Sequence, residues 1–195
     1  FAVLIADINV QRGQTLQKDL ESQDSDALFV RTDVRDEVSV REMITKAVEQ
    51  WGRLDVLCNN AGVERYQPAE DYTMEDWNYI VQTNLLGTFL SSKYALAHLR
   101  KVKGSIINIS SVQAIACEQN ISVYAATKAG ILGLTRGLAV DYARVGVRVN
   151  AICPGPVRTG MSEPFLASQA DSETTLTALA DSVPLGRIGE PEDIA

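Results

Sequence analysis

Histidine, cysteine and positive charge are all scarce in this sequence. Its 195 residues include one histidine, His98, and three widely separated cysteines, Cys58, Cys117 and Cys153. No two of these residues have the spacing of a metal site, so we expect no bound metal. We expect His98 to lie at the surface or in an interface, which leaves a Ser-His-Asp triad without its base.

The charge balance and the short apolar runs argue against two further classes of protein. The net charge of −7 disfavours a nucleic-acid partner, because phosphate binding requires an excess of Lys and Arg. No apolar stretch approaches the ~18 residues that a membrane-spanning helix needs. An odd number of widely spaced cysteines is typical of reduced thiols. We therefore expect a cytoplasmic protein that acts on a small molecule.

Short apolar runs alternate with longer segments of helical period along the chain. The alternation predicts βαβ units on a parallel sheet, and the continuous apolar strands indicate helices on both faces. We predict an α/β fold with a doubly wound parallel sheet in three αβα layers, as a single domain over residues 1–195. The predicted strands are 1–6, 27–32, 54–58, 105–109 and 147–153, and the predicted helices are 11–23, 38–51, 74–83, 85–99 and 123–143.

Unusual polar, Gly and Pro residues follow the predicted strands. They are Asp7, Asp33, residues 59–62, Ser111 and the pair Pro154-Gly155. Ligands in such sheets bind at the carboxyl ends of the strands. Each feature has a simpler interpretation, such as a helix cap at Asp7 or a turn at Pro154-Gly155. Their coincidence on five consecutive strand ends favours a binding site.

Tyr124 and Lys128 are the residues best suited to acid–base chemistry. A spacing of four places them on one face of the predicted helix, one turn apart. A phenol with a pKa near 10 is a poor base at neutral pH, and a neighbouring ammonium stabilises its anion. The pair is common by chance, but Ser111 closes a strand thirteen residues before Tyr124, where its hydroxyl could reach the same substrate oxygen.

At this point the sequence resembles the short-chain dehydrogenase/reductase family over essentially its whole length. The matching pieces, in order, are Asn59-Asn60-Ala61-Gly62, Asn84 within Thr83-Asn84-Leu85, Ser111, the Tyr124/Lys128 pair and residues 150–159, NAICPGPVRT. The resemblance implies a Rossmann-type fold. It also implies a Gly-rich strand–turn–helix before Phe1 and a strand after Ala195. We therefore expect the sequence to be incomplete at both ends.

The resemblance also implies roles for individual residues. Tyr124 would exchange a proton, Ser111 would polarise the substrate carbonyl, Lys128 would hold the nicotinamide ribose and lower the Tyr124 pKa, and Asn84 would position a water leading to Lys128. The implied cofactor contacts, besides Tyr124 and Lys128, are Asp33 and Val34 at the adenine, Asn60, Ala61 and Gly62 along the cleft, and Pro154, Gly155, Val157 and Thr159 beside the carboxamide and pyrophosphate.

Asp7 predicts the choice of cofactor. It ends the first strand, the position from which an acid hydrogen-bonds the adenosine ribose hydroxyls. A 2′-phosphate at that position would face a carboxylate, and Arg12 is the only cation nearby in the sequence. The sequence therefore predicts NAD rather than NADP.

The substrate is predicted from the residues around the catalytic tetrad, which is Asn84, Ser111, Tyr124 and Lys128. Those expected to face it, besides Ser111 and Tyr124, are Gln113, Cys117, Glu118, Gln119, Pro156 and Met161, with a mobile flap at about 161–183. A polar wall accepts purely hydrocarbon substrates poorly, so we predict an oxidoreductase acting on a small polar alcohol or ketone, such as a sugar or polyol. A 3-oxoacyl-carrier reductase, a non-catalytic dinucleotide sensor and a truncated assembly subunit remain alternatives. Family resemblance further implies a homodimer or homotetramer, paired through helices 85–99 and 123–143.

Overall fold

The computed structural model describes residues 1–161 and 172–195, in which parallel strands alternate with helices. The strands are β1 Ala2–Asp7, β2 Asp26–Arg31, β3 Val56–Asn59, β4 Ser105–Ile109 and β5 Arg148–Ile152. The helices are α1 Val10–Glu21, α2 Glu37–Trp51, α3 Met74–Val81, α4 Gly87–Val102, α5 Ser122–Tyr142 and α6 Ser172–Asp181. These bounds confirm the predicted α/β class, and most predicted ends fall within two residues of those observed.

The strands form two parallel ladders rather than one continuous sheet. β1 pairs with β2, from Ala2 opposite Asp26 to Asp7 opposite Arg31. The second ladder has the order β3-β4-β5. Within the described residues β1 and β3 share no ladder. α2 packs on both α4 and β1 and so joins the two ladders.

The apolar core lies under α2 and α4. Val40, Met43 and Ile44 of α2 meet Leu99 of α4 and Ile106 of β4, and all of these side chains are buried. α2 begins where the Asp36 carboxylate accepts from the Val38 N–H, at 2.9 Å. The helix ends at Trp51, as predicted, and the next residue, Gly52, adopts the left-handed conformation with φ 73°.

A buried amide network joins the second ladder to the helices. The Asn59 Nδ2 donates to Asn108 Oδ1 at 2.8 Å and to Ser92 Oγ at 3.1 Å. The Asn108 Nδ2 donates in turn to Thr135 Oγ1 at 2.9 Å. The network therefore links β3, β4, α4 and α5. Its amides must be paired, since an unpaired buried polar group is costly.

A π-helical turn, Gln82–Leu86, separates α3 from α4. The sequence predicted one helix ending at residue 83 and another starting at 85, so it located the irregularity without its form. The turn carries Asn84, which is fully buried. Such wide turns are frequent at functional sites. This one directs the Asn84 amide to Val63 and to Thr127 of α5.

The last part of the chain carries one helix and a short capped turn. The predicted flap overlaps α6, Ser172–Asp181, whereas its portion at 162–171 lies outside the described residues. Pro191–Asp193 forms a single 3-10 turn, in which the Glu190 N–H donates to Asp193 Oδ2 at 2.8 Å. Among the described residues no helix is both long and apolar enough to cross a membrane.

Asn108→Ala tests the buried network. The change leaves the Asn59 amide and the Thr135 hydroxyl without their partner, so we expect the free energy of unfolding to fall by about 2–4 kcal/mol. Asn78→Ala, at an exposed position of α3, is the control and should change it by less than about 0.5 kcal/mol. Chemical denaturation measures both values, and equal effects of the two changes would contradict the assignment.

Candidate active site

The candidate site lies where β3, β4 and β5 end. Parallel strands present their carboxyl ends at one edge, so the loops after Asn59, Ile109 and Ile152 lie together. The loops are hydrogen-bonded to one another: the Ser110 N–H donates to Ile152 O at 2.8 Å, and the Val112 N–H donates to Pro154 O at 2.9 Å. These bonds join the loops after β4 and β5, whereas Asp7 ends β1 and Asp33 follows β2 in the other ladder. A binding site formed by all five strand ends stays a prediction.

The first turns of α5 bring Tyr124 and Lys128 to the end of β4. Both side chains are buried, and Lys128 Nζ lies 5.4 Å from the centroid of the Tyr124 ring. The ammonium donates to Ile109 O at 2.8 Å. The Ser110 hydroxyl donates to Lys128 O, also at 2.8 Å. Two hydrogen bonds thus fix Lys128, and with it the start of α5, against the carboxyl end of β4.

The Ser111 side chain interacts with the Tyr124 phenol. Burial raises the pKa of Tyr124 to about 12, and a hydrogen bond with the Ser111 side chain lowers that pKa in part. Ser111 is itself held in place, because its Oγ accepts from the Gln113 N–H at 3.2 Å. The structure therefore joins the two residues that the family resemblance pairs.

Lys128 is a buried cation whose burial lowers its pKa to about 8, partly opposed by the charges of Glu64 and Cys153. The resemblance implied that Lys128 lowers the pKa of Tyr124. In this structure the lowering comes from Ser111, and the implied contribution of Lys128 stays a prediction.

Asn84 fastens the loop after β3 to α5. Its Oδ1 accepts from the Val63 N–H at 2.8 Å, while its Nδ2 donates to Val63 O at 2.9 Å and to Thr127 Oγ1 at 3.1 Å. A Cβ placed on Gly62 would lie 3.4 Å from Asn84 Oδ1 and 3.5 Å from Lys128 Nζ. Asn84 and Lys128 therefore lie together, and the water expected between them stays a prediction.

The predicted adenosine contacts lie at the ends of β1 and β2. Asp7 is exposed, and its Oδ1 accepts from the Asn9 N–H at 2.7 Å. In the described part of the chain it has no ion-pair partner. Arg12 instead lies beside Gly160, 3.2 Å from where a Cβ would stand. Asp7 thus keeps a carboxylate oxygen directed at no protein cation.

Asp33 and Val34 have partners within the protein. Both Asp33 carboxylate oxygens accept from Arg35, at 2.9 and 2.6 Å, which holds the pKa of Asp33 below its usual range. The side chain of Val34 packs closely against Gly87: a Cβ placed on Gly87 would lie 2.9 Å from Val34 Cβ. Their adenine contacts stay predictions.

The residues expected to meet the substrate are arranged around the same edge. Gln113 is buried, and its Oε1 accepts from the Glu118 N–H at 2.8 Å, so its amide shapes the loop that carries Glu118, Cys117 and Gln119. The Met161 Cε lies 3.7 Å from a Cβ placed on Gly62. On the other side, Pro156 O accepts from the Gly189 N–H at 2.9 Å, and Val157 forms a β-bridge with Gly189. Asn60, Ala61, Gly155 and Thr159 lie in the same loops.

Sequence reasoning missed Glu64, which lies two residues after Gly62. Burial and the charge of Glu118 raise its pKa to about 7, against the opposing charge of Lys128. The available signal was an acidic residue in the loop that directly follows β3, at the edge where the other site residues gather.

Comparisons with known proteins identify the family of this chain. A family profile described as enoyl-(acyl carrier protein) reductase matches residues 1–195. The L-fucose dehydrogenase of Bos taurus is 36% identical over 99% of this chain and 70% of its own length. The meso-2,3-butanediol dehydrogenase of Serratia marcescens is 36% identical over 87% of this chain and 65% of its own. The structure of a gluconate 5-dehydrogenase from Burkholderia cenocepacia, in complex with NADP and tartrate, superposes with a TM-score of 0.88 at 32% identity, covering 97% of this chain and 73% of that one.

The chain belongs to the short-chain dehydrogenase/reductase family. It is an oxidoreductase that transfers a hydride between a nicotinamide dinucleotide and an alcohol or ketone.

Ser111→Ala tests the electrostatics of the pair. Because the Ser111 hydrogen bond lowers the pKa of Tyr124, its removal should raise that pKa and move phenolate formation to higher pH. Ultraviolet difference titration of the phenolate measures the shift. The control is Ser122→Ala, at an exposed position of α5, the helix that carries Tyr124. A titration curve displaced to lower pH, or displaced equally in both variants, would contradict this result.

Proposed function

We propose that the protein is an NAD-dependent dehydrogenase of a small polar secondary alcohol, such as a sugar or polyol. The observation that carries the proposal is the buried Tyr124, hydrogen-bonded to Ser111 and adjacent to Lys128 at the carboxyl edge of the strands. We further propose that residues 1–195 form one domain.

The residues present fit a nicotinamide dinucleotide. Lys128 has three N–H donors, of which the described structure occupies one with Ile109 O, so the buried ammonium can bind ribose hydroxyls. Asp7 would bind the adenosine ribose, and its charge would disfavour a 2′-phosphate. Asn60, Ala61, Gly62, Pro154, Gly155, Val157 and Thr159 would line the remainder of the site, with Asp33 and Val34 at the adenine. The cofactor would supply the hydride acceptor or donor.

The roles of the tetrad follow from its contacts. Ser111 would donate to the substrate oxygen, and the Tyr124 phenol would take up or return the proton at that oxygen. Lys128 would place a positive charge beside the phenolate, and Asn84 would hold the loop after β3 against α5. The burial of Tyr124 and Lys128 keeps bulk water from the reacting atoms, which strengthens every charge interaction there.

A polar substrate is supported by the wall of the site and by the relatives. Gln113, Glu118, Pro156 and Met161 would face the ligand together with Ser111 and Tyr124. Dehydrogenases of L-fucose, meso-2,3-butanediol and gluconate are among the similar proteins. The description of the family profile supports a second candidate, reduction of a carrier-bound acyl chain. Rates of NADH formation over sugars, polyols and monohydric alcohols, against NADH oxidation with a 2-enoyl or 3-oxoacyl thioester, distinguish the two.

Assembly and location are further proposals. Phe89 on α4 and Val140 on α5 leave apolar surface exposed, which supports pairing of these helices in a homodimer or homotetramer. The free cysteines, of which Cys58 and Cys117 are exposed, support a reducing, cytoplasmic location.

Tyr124→Phe tests the proton-transfer role. The variant keeps the ring but loses the hydroxyl, so turnover should fall by roughly 10²–10⁴-fold, while NAD affinity measured by calorimetry changes little. Tyr142→Phe, at the far end of α5, is the matched control. Turnover of Tyr124→Phe within a few-fold of the wild type would disprove the mechanism.

Asp7→Ala tests the choice of cofactor. Loss of the carboxylate should weaken NAD binding and improve the use of NADP, because the ribose acceptor and the repulsion of a 2′-phosphate disappear together. The ratio of kcat/KM for the two cofactors measures the effect, with Asp19→Ala on α1 as the control. A wild-type enzyme that already prefers NADP would refute the role given to Asp7.

A further inference from the structure

We propose that Glu64 determines substrate specificity: its carboxylate accepts a hydrogen bond from a second hydroxyl group of the substrate, next to the hydroxyl that reacts. This inference rests on the proposed alcohol dehydrogenase function. It selects neutral vicinal diols and polyols over monohydric alcohols and over anions.

The backbone holds Glu64 in place from both sides. Asn84 binds both the N–H and the C=O of Val63, the residue before Glu64, at 2.8 and 2.9 Å. Three residues further on, the Gln67 N–H donates to Asn120 O at 2.7 Å, which joins this loop to the segment before α5. Glu64 therefore lies in a short stretch of backbone that is anchored at Val63 by Asn84 and at Gln67 by Asn120.

The surroundings of Glu64 are those of the reacting atoms. Its charge acts on Tyr124, Lys128 and Tyr66, and the charge of Glu118 acts on it. Gly62 lies two residues before Glu64, and a Cβ placed on it would lie 3.5 Å from Lys128 Nζ. A group bound at Glu64 would thus lie beside the Tyr124/Lys128 pair.

The carboxylate of Glu64 is half-buried without a protein partner. Within the described chain it accepts no hydrogen bond and forms no ion pair with Lys128 or any other cation. Burying an acid in this way opposes folding, so a structural role does not account for it. A substrate hydroxyl supplies the donor that the protein withholds.

The chemistry of this position restricts the ligand. A carboxylate only accepts, and its two oxygens can take hydroxyl donors from adjacent carbons. Glu118 adds a second negative charge nearby, so an anionic substrate would meet repulsion from both. The pKa of about 7 places the change of charge within the working range, with Lys128, Glu118, Tyr66 and Tyr124 as the facing groups. The carboxylate form predominates above pH 7, and polyol binding should therefore strengthen as the pH rises through 7.

The test compares Glu64→Gln with the control Glu70→Gln, which removes the same charge from an exposed position in the next turn. With a neutral polyol, kcat/KM of Glu64→Gln should fall roughly 10–100-fold, mainly through KM. The fall with a monohydric secondary alcohol should be at least tenfold smaller. The change of the polyol KM with pH around 7 should disappear in Glu64→Gln and persist in Glu70→Gln.

Folding is monitored separately by thermal unfolding at pH 8. Removing a half-buried charge should leave the Tm of Glu64→Gln equal to or above that of the wild type. Equal losses for the polyol and the monohydric alcohol, or unchanged kinetics, would overturn the role of Glu64 while leaving the dehydrogenase proposal intact. A wild-type protein that oxidises no alcohol with either cofactor would overturn both.

Discussion

The docking of α5 on the end of β4 is the contact on which the site depends. A lysine side chain on a helix normally extends into solvent, yet Lys128 is buried against the end of β4. Its Nζ donates to Ile109 O, and its backbone carbonyl accepts from Ser110 Oγ. Burying an ammonium has a cost, which the charge of Glu64 and the hydrogen bond from Nζ to Ile109 O offset in part. The contact places Tyr124 one turn earlier on the same face, within reach of Ser111. A displacement of α5 along β4 would move Tyr124 and Lys128 together away from Ser111 and Ile109.

A polar interior supports this contact from below. The Asn59–Asn108 pair occupies the second ladder where an aliphatic pair would pack as well, and it binds Ser92 of α4 and Thr135 of α5. Hydrogen bonds are directional whereas apolar contacts slide, so the amides specify the register of α4 and α5 on the strands. The helix bearing Tyr124 is therefore positioned at two levels, by Thr135 within the core and by Lys128 at the site.

The sequence predicted the parts of this structure that are encoded locally. Apolar periodicity located α2 and α5, and Gly52 marked the end of α2 because its conformation requires φ > 0. The tetrad followed from spacing and resemblance. The engagement of Asp33 by Arg35 and the clamp of Asn84 on Val63 were not predictable, since both depend on side-chain direction and on loops whose path is set by tertiary contacts. Glu64 was overlooked for the same reason: an acid in a loop is ordinarily solvated, and only the folded chain shows its burial.

Two groups of opposite charge, the half-buried Glu64 and the buried Lys128, give the site a charge that varies with pH. Burial raises the pKa of Glu64 to about 7 and lowers that of Lys128 to about 8, and the attraction between the two opposes both shifts. Each group is thus moved towards its neutral form, and the charge of the site changes over a narrow range of pH near neutrality. A fully solvated pair would stay charged across this range, and an apolar pair would offer no charge to vary. The same burial raises the pKa of Tyr124, so the positive charge of Lys128 and the hydroxyl of Ser111 are the groups that can favour its phenolate, whereas the charge of Glu64 disfavours it. Because a substrate hydroxyl would donate to the carboxylate form of Glu64, occupation of the substrate position would stabilise that charge and lower the pKa of Glu64. Substrate binding and the charge of the site are therefore coupled through Glu64.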